Sequence, residues 1–223
     1  MTMRRQRAFT LVELLIAVAL MAVVLSLAAP SLRDFVVLQR LKSINSALIT
    51  DMQYARSEAV SRGKNVWVYF KLPSNSQPMS CYTMYTDSSA VNVAQRLKCD
   101  CTQPAGSRCA STATELKTVQ IPTDLSVRLN IDTGVQATDF AFDPVTGSVF
   151  IPTLDIPVPV PTAFVVDTRI DSGRTLRTRV ALSGRPAVCL PTGSVVSGGY
   201  NACYGRRQER SGCSWWSKFG KVA

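Results

Sequence analysis

The sequence predicts an α+β protein in which one long N-terminal helix packs against an antiparallel β-sheet head. Three observations lead to this fold class. No charged residue occurs from Leu14 to Leu32, an apolar stripe of helical period continues to about residue 62, and the chain beyond Gly63 alternates apolar and polar residues. The 223 residues, 46% hydrophobic and 18% charged, suffice for one such domain and exclude a disordered chain.

The first part of the predicted helix, residues 9–30, has the length of a membrane span. About 20 apolar residues cross the core of a bilayer as an α-helix. Arg4, Arg5 and Arg7 precede the apolar run, and basic residues favour the cytoplasmic side. We therefore expect a single-pass inner-membrane protein with a cytoplasmic N-terminus and a periplasmic head.

A cleaved secretory signal is the alternative interpretation of this segment, with Ala28 and Ala29 at the cleavage site. Two features argue against it. Glu13 lies inside the apolar stretch, where a carboxylate is costly and indicates a function. The helical pattern also continues beyond Pro30, which is expected to bend the helix near the membrane surface.

The second half of the helix, residues 31–63, is predicted to be amphipathic. Apolar residues recur there with spacings of three and four, namely Val37, Leu41, Ile44, Leu48, Met52, Ala55 and Ala59. Polar residues are expected on the other faces: Arg40, Lys42, Asn45, Asp51 and Ser57. Gly63 is a typical helix end.

The head is predicted to consist of short antiparallel strands. Alternating runs occur at residues 65–70, 80–85, 118–121, 126–131, 140–142, 148–151, 164–168 and 176–182. Turn signals separate them, such as Asp143 to Gly147 and Asp171 to Gly173. Four prolines indicate an extended loop in place of a central strand: Pro152, Pro157, Pro159 and Pro161.

Composition excludes most enzyme classes. The chain contains no histidine, which removes the commonest general base and the usual catalytic triads. It also lacks a phosphate-binding Walker loop, a Gly-x-Ser-x-Gly elbow and an obvious close pair of carboxylates. We expect neither catalysis nor a cofactor.

Seven cysteines favour disulfide bonds in an oxidising compartment, and their odd number leaves at least one unpaired. They are Cys81, Cys99, Cys101, Cys109, Cys189, Cys203 and Cys213. Zinc is the alternative for Cys99, Cys101 and Cys109, but the spacing lacks the Cys-x₂-Cys pattern of structural zinc sites. We expect disulfides to close the loop around residues 95–110 and to fix the C-terminal part, in a connectivity that spacing leaves open.

The N-terminal segment resembles the class III signal of type IV pilins and pseudopilins, with the sequence RQRAFTLVELLIAVALMAVVLSLAAP. The resemblance implies that residues 1–8 are a leader. A prepilin peptidase would cut between Ala8 and Phe9 and methylate the new amine of Phe9, although family members usually have glycine where this chain has Ala8. The carboxylate of Glu13 would pair with the N-terminal amine of a neighbouring subunit during assembly.

Within that superfamily the chain is similar to the GspH/FimT group. The similarity lies in ALITDMQYARSEAVSRGKNVWVYF and, more weakly, in TRVALSGRPAVC, a late strand followed by Gly-Arg and a final strand. It implies a type IV pilin fold with a head over residues 64–190. It also implies a minor subunit of either a type IV pilus or a type II secretion pseudopilus, with other pilins or pseudopilins as partners.

The C-terminal end, residues 191–223, is basic and aromatic. Guanidinium groups contact phosphates and aromatic faces stack on bases, so DNA binding is an alternative function. The candidate residues are Arg177, Arg179, Arg185, Arg206, Arg207, Arg210, Trp215, Trp216, Lys218 and Lys221. FimT members bind DNA through a C-terminal Gly-Arg-x-Arg motif, and Gln208 departs from it here. A solvated tail whose tryptophans pack on the head or on a neighbouring subunit is the competing interpretation.

Overall fold

The computed structural model describes residues 10–75, 77–87, 99–110, 112–132, 138–151 and 162–203, apart from the side chains of residues 27–30. Several predicted features lie outside these residues. They are the processing site at Ala8 and Phe9, the proline-rich loop, Cys213, and the basic and aromatic residues from Arg206 onward.

A single helix, α1, runs over Leu11–Arg62. The side chain of Thr10 caps its first turn by accepting a hydrogen bond from the backbone N–H of Glu13 (3.2 Å). Gly63 ends it in the left-handed conformation (φ 61°), which glycine adopts without steric cost. The predicted continuous helix with its end at Gly63 is therefore confirmed.

Helix α1 changes direction between its two halves. The segments Leu11–Ser26 and Ser31–Arg62 meet at 45°. The change falls across residues 27–30, the segment for which the sequence predicts a bend at a proline.

The second half of α1 buries the predicted stripe against the head. Leu41, Leu48, Met52, Ala55 and Ala59 are at most 1% exposed. Asn45 and Asp51, which are expected on the other faces of the helix, are buried as well. Polar side chains of the sheets supply partners for them, which periodicity alone does not reveal.

The head contains nine strands and one 3₁₀ turn in the described residues. They are β1 (Val66–Lys71), β2 (Met79–Asp87), β3 (Ala113–Pro122), the 3₁₀ turn (Thr123–Leu125), β4 (Arg128–Ile131), β5 (Asp139–Phe142), β6 (Val149–Phe150), β7 (Ala163–Arg169), β8 (Thr175–Ala181) and β9 (Pro186–Cys189). Each of the eight runs predicted from alternation contains a strand, and β9 is the final strand that the resemblance implies.

The strands form two antiparallel sheets, which confirms the predicted antiparallel head. The first sheet has the order β3-β2-β1-β5-β6, and the second has the order β4-β7-β8-β9. Two hydrogen bonds join the sheets: Val149 N–H donates to the carbonyl of Leu182 (2.7 Å), and Leu129 N–H donates to the hydroxyl of Ser80 (2.9 Å).

The main core lies between α1 and the inner faces of both sheets. Phe70 and Phe140 come from the first sheet and Phe164 from the second, and the rings of Phe140 and Phe164 are 4.6 Å apart. A smaller cluster of Leu41, Val127, Leu176 and Val196 lies nearer the N-terminal end of the packed helix. Val196 is 4% exposed, so the segment after β9 continues the head up to Cys203.

Candidate functional site

The N-terminal half of α1 presents an uncovered apolar surface. Leu11 is 75% exposed, and large apolar side chains remain exposed as far as Leu25 (67%). An apolar surface of this extent on a soluble monomer marks a contact with lipid or protein. The helix therefore requires a bilayer, neighbouring helices, or both around it.

No single straight helix among the described residues has the length and apolar composition of a membrane span. The bent pair Leu11–Ser26 and Ser31–Arg62 meets these requirements when its two parts are taken together.

Glu13 lies in the first turn of α1, on the exposed surface. Within the described part of the chain, no basic side chain pairs with its carboxylate. A carboxylate near a helix N-terminus interacts favourably with the helix dipole.

The Ala-Arg-Ser-Glu-Ala stretch of α1 positions Arg56 at a junction of three elements. Arg56 Nε donates a hydrogen bond to the carbonyl of Gly147 (3.0 Å), in the turn between β5 and β6. Gly184, in the turn between β8 and β9, packs against the same carbonyl. We call Arg56, Gly147 and Gly184 the three-way junction, because it joins the helix to both sheets.

Both glycines of the three-way junction are required by its geometry. A Cβ atom on Gly184 would lie 2.0 Å from the carbonyl oxygen of Gly147, and one on Gly147 would lie 2.8 Å from Arg56 Nε. Both residues also have positive φ angles, 77° and 64°. Three stretches singled out in the sequence, the helix motif, the Asp143 turn and the Gly-Arg turn, therefore meet at one point.

Two buried polar residues of α1 connect the helix to the sheets. The side-chain oxygen of Asn45 accepts hydrogen bonds from the hydroxyls of Thr168 (3.2 Å) and Thr178 (2.9 Å). Asp51 accepts a hydrogen bond from the hydroxyl of Tyr82 (2.7 Å) and pairs with the ammonium group of Lys117. Burial and then the bond to Asp51 raise the pKa of Tyr82, so its hydroxyl stays protonated and donates.

The insertion between β2 and β3 folds back over the outer face of the first sheet. Disulfides join Cys81 to Cys101 and Cys99 to Cys109. The strand β2 is consequently buried on both faces, since Cys81, Thr83 and Tyr85 alternate with the core-facing side chains and are at most 1% exposed. The disulfide prediction for the loop around residues 95–110 is confirmed.

Asp100 fixes this insertion to the end of β1. The Lys71 ammonium group donates to both of its carboxylate oxygens (2.9 and 3.1 Å), and Thr102 donates through its backbone N–H (2.9 Å) and its hydroxyl (2.7 Å). Burial alone raises the pKa of Asp100, but the hydrogen bonds from Thr102 and Lys71 outweigh it and lower the pKa to about 2.

The outer face of the second sheet carries the described arginines of the DNA-binding hypothesis. Arg177 and Arg179 share this face of β8. Arg177 is already paired: its Nε and Nη2 donate to Asp167 (2.7 Å each), and Nη2 also donates to Asp132 (2.6 Å). Arg179 and Arg185 form no ion pair within the described residues, and Arg185 is exposed.

The third disulfide joins Cys189 at the end of β9 to Cys203. Leu190 and Ala202 form a parallel bridge beside it. Cys189 is opposite Arg177 in the strand register, so the described chain ends at the edge of the arginine-bearing face. The disulfide therefore holds Cys203, the last described residue, close to the strand pair of Arg177 and Cys189.

Comparison with known proteins identifies the family. Residues 3–29 match the model of the prokaryotic N-terminal methylation motif, and residues 46–184 match the model of the type II transport protein GspH. No curated protein matches the chain.

Two crystal structures of the type IV minor pilin FimU from Pseudomonas aeruginosa are similar in structure. Both are 16% identical to this chain. One covers 73% of this chain over 99% of its own length (TM-score 0.41), and the other covers 74% over 96% (TM-score 0.42).

The two family models, which together cover most of the helix and most of the head, agree with the observed order of one long helix followed by antiparallel sheets. Such pilins and pseudopilins are membrane-anchored structural subunits and have no enzymatic activity. The chain belongs to the GspH family and carries the N-terminal methylation motif of pilins and pseudopilins.

Proposed function

We propose that this chain is a minor pilin or pseudopilin that is anchored in the inner membrane by α1 and then assembled into a filament or its tip. The exposed apolar surface from Leu11 to Leu25, within a segment that matches the methylation motif, carries this proposal. The same surface serves both stages, since it contacts lipid before assembly and the helices of other subunits afterwards. The N-terminus lies in the cytoplasm and the head in the periplasm.

Processing is the first step of this function. A prepilin peptidase cuts between Ala8 and Phe9 and methylates Phe9. Mass spectrometry of the protein purified from its native membrane is expected to find an N-methylated phenylalanine at the N-terminus. An N-terminus at residue 30 or beyond would instead identify a cleaved secretory signal and contradict the proposal.

Glu13 then sets the register of the incoming subunit. Glu13→Gln removes the charge and keeps the shape, so the variant is expected to remain in the membrane but to be depleted from sheared filaments. Asp124→Asn, at an exposed position in the head, is the matched control and leaves incorporation unchanged. Equal recovery of Glu13→Gln and wild type in filaments would overturn this role.

Deletion of the gene, scored in parallel for piliation and for protein secretion, separates the pilus from the secretion system. Loss of surface pili with normal secretion assigns the chain to a type IV pilus, and the reverse assigns it to a pseudopilus. Complementation with the wild-type chain is the control for effects on neighbouring genes.

DNA binding is the second candidate function. The observation that favours it is the disulfide Cys189–Cys203, which holds Cys203, the last described residue, at the second sheet, where Arg179 forms no ion pair within the described residues. The full chain in detergent would bind duplex DNA with an affinity that falls steeply with salt, because phosphate contacts release counterions.

The matched variants for this test are Arg206→Ala with Arg207→Ala, and Arg179→Gln with Arg185→Gln. Both pairs are expected to weaken DNA binding. Arg177 is held by two carboxylates, so Arg177→Gln affects folding more than binding. An affinity that is insensitive to salt or to the first pair of substitutions would exclude DNA as a ligand.

A further inference from the structure

The end of the second sheet that lies nearest the apolar half of α1 can be identified from one contact. Arg174, in the turn between β7 and β8, pairs with Asp34 of the helix (3.3 Å). Asp34 stands only two positions after Leu32, the last residue of the uncharged run. The β7–β8 turn therefore lies beside the point where the helix leaves its apolar segment, whatever the angle between the two helix halves.

Two arginines stand opposite each other at this end of the sheet. Arg128 of β4 is directly opposite Arg169 of β7, and Arg169 is in turn opposite Thr175, the residue that follows Arg174. Both arginines alternate with inward-facing residues and point from the outer face. We call them the Arg128–Arg169 pair.

Like charges placed directly opposite each other on adjacent strands are destabilising. At the neighbouring position on the same face, carboxylates of the chain compensate the charge of Arg177, because it is paired with Asp167 and Asp132. Among the residues that the structure describes, no carboxylate pairs with Arg128 or Arg169.

The nearby carboxylates do not supply the missing negative charge. Asp34 and Asp171 both pair with Arg174. Asp124, on the 3₁₀ turn before β4, is exposed and forms no ion pair within the described part of the chain. The Arg128–Arg169 pair thus has the charge of a binding site for an anion from outside the chain.

Arg33 adds a positive charge on the helix, next in sequence to Asp34, which contacts the β7–β8 turn. It is the first charged residue after the apolar run, and it is exposed. A guanidinium group at the end of a membrane span reaches the headgroup region, where its planar fork matches the oxygens of a phosphate.

We infer that Arg33 and the Arg128–Arg169 pair bind the phosphate groups of anionic phospholipids in the leaflet from which α1 emerges. The inference rests on the proposed anchoring of α1 in the membrane. It adds that the head of the unassembled subunit lies against the bilayer in a fixed orientation, with its second sheet toward the lipid. Entry into a filament then requires these lipid contacts to break.

Hydrogen–deuterium exchange of the full chain in lipid nanodiscs tests the inference. Discs of phosphatidylcholine alone are compared with discs that contain phosphatidylglycerol. Exchange in residues 124–130 and 169–175 is expected to slow by about fivefold or more in the anionic discs, the factor expected for one arginine at an anionic surface. The effect disappears when salt rises from about 0.15 M to about 1 M, because the Debye length falls from about 8 Å to about 3 Å.

The variant Arg128→Gln with Arg169→Gln removes the protection. Arg62→Gln with Lys64→Gln, the matched control with the same change of charge at the other end of the packed helix, retains it. Equal exchange in the two kinds of disc, or equal loss in both variants, overturns the inference.

Two further outcomes are distinguishable. A chain that fails to enter nanodiscs contradicts the proposed anchoring, whereas a chain that enters them without a dependence on lipid charge contradicts only the lipid site. Protection that increases with the number of chains per disc and ignores lipid charge would assign the Arg128–Arg169 pair to contact between subunits, and the lipid site would be rejected.

Discussion

Asn45 illustrates how a single polar residue can fix the register of a helix on a sheet. Its one side-chain oxygen accepts hydrogen bonds from the hydroxyls of Thr168 and Thr178, which lie on neighbouring strands. Because Asn45 is 2% exposed, water cannot replace either donor if the helix slides. Its position along α1 is therefore coupled to the second sheet, as that of Asp51 is to the first.

Removal of this contact gives a prediction at the residue scale. Asn45→Ala is expected to destabilise the head by about 1–3 kcal/mol, because two buried hydroxyls lose their acceptor. Ser46→Ala, one position further on the exposed side of the helix, is the control and changes stability by less than about 0.5 kcal/mol. Denaturant unfolding of both variants in detergent measures the difference.

Asp100 gives a prediction about pH. Its pKa is lowered to about 2 in the folded state, so its contribution to stability is complete above its unfolded pKa, about 4, and is lost as the pH falls toward 2. Asp100→Asn is expected to lower stability at neutral pH and to reduce the loss of stability between pH 5 and pH 2. An unchanged acid dependence of unfolding in this variant would contradict the role of Asp100.

Periodicity predicts α1 and most of the strands but misses the polar contacts between them. Asn45 and Asp51 lie beside the apolar stripe, and their partners are distant in sequence, namely Thr168, Thr178, Tyr82 and Lys117. Periodicity does not predict the disulfide connectivity either, because the fold decides which cysteines meet. Cys81 meets Cys101, and not the nearer Cys99, because the insertion turns back over β2.

At the scale of elements, the three-way junction explains why two turns need glycine, at Gly147 and Gly184, and why the helix needs Arg56. The carbonyl of Gly147 is approached from one side by Arg56 Nε and from the other by Gly184. The junction is supported by the bond from Val149 N–H to Leu182, two positions away from each glycine. The edges of both sheets are thereby held to the helix.

Gly184→Ala tests the junction. The new Cβ would lie 2.0 Å from a backbone oxygen, so the two turns must separate, and the expected destabilisation exceeds about 3 kcal/mol. Gly193→Ala is the matched control, since Gly193 also has a positive φ (84°) but has open space around the position of a Cβ. This control is expected to cost only the backbone strain of about 1–2 kcal/mol.

Thermal unfolding of the two glycine variants, measured side by side, separates steric overlap from strain. Equal losses of stability would show that Gly184 is needed only for its backbone conformation. Arg56→Lys is expected to behave like a milder Gly184→Ala, because lysine lacks the Nε–H that bonds to Gly147.

At the scale of the whole molecule, two of the three disulfides among the described residues join an extension of the head to its sheets. Cys81–Cys101 attaches the insertion to the first sheet, and Cys189–Cys203 attaches the segment after β9 to the second. The strands that carry the core need neither bond for their pairing. We therefore expect oxidation to secure the extensions more than the core.

Cys189→Ser with Cys203→Ser tests this division. Limited proteolysis of the double variant is expected to remove the chain beyond Cys189 first and to leave the region from β1 to β9 intact. The closed loop is short, with a sequence separation of 14, so the loss of stability is about 2–3 kcal/mol. Cleavage within the core strands at the same rate would contradict the expectation.

The three-way junction also determines how the molecule responds to mechanical load. A pull along α1 acts on Asn45, Asp51 and Arg56 together, and each of these residues transmits it to a different part of the head. Because these contacts are spaced along the helix axis, a pull along that axis loads all of them together in shear. They do not break one after another. A subunit fixed at its helix can thus bear tension while both sheets stay closed.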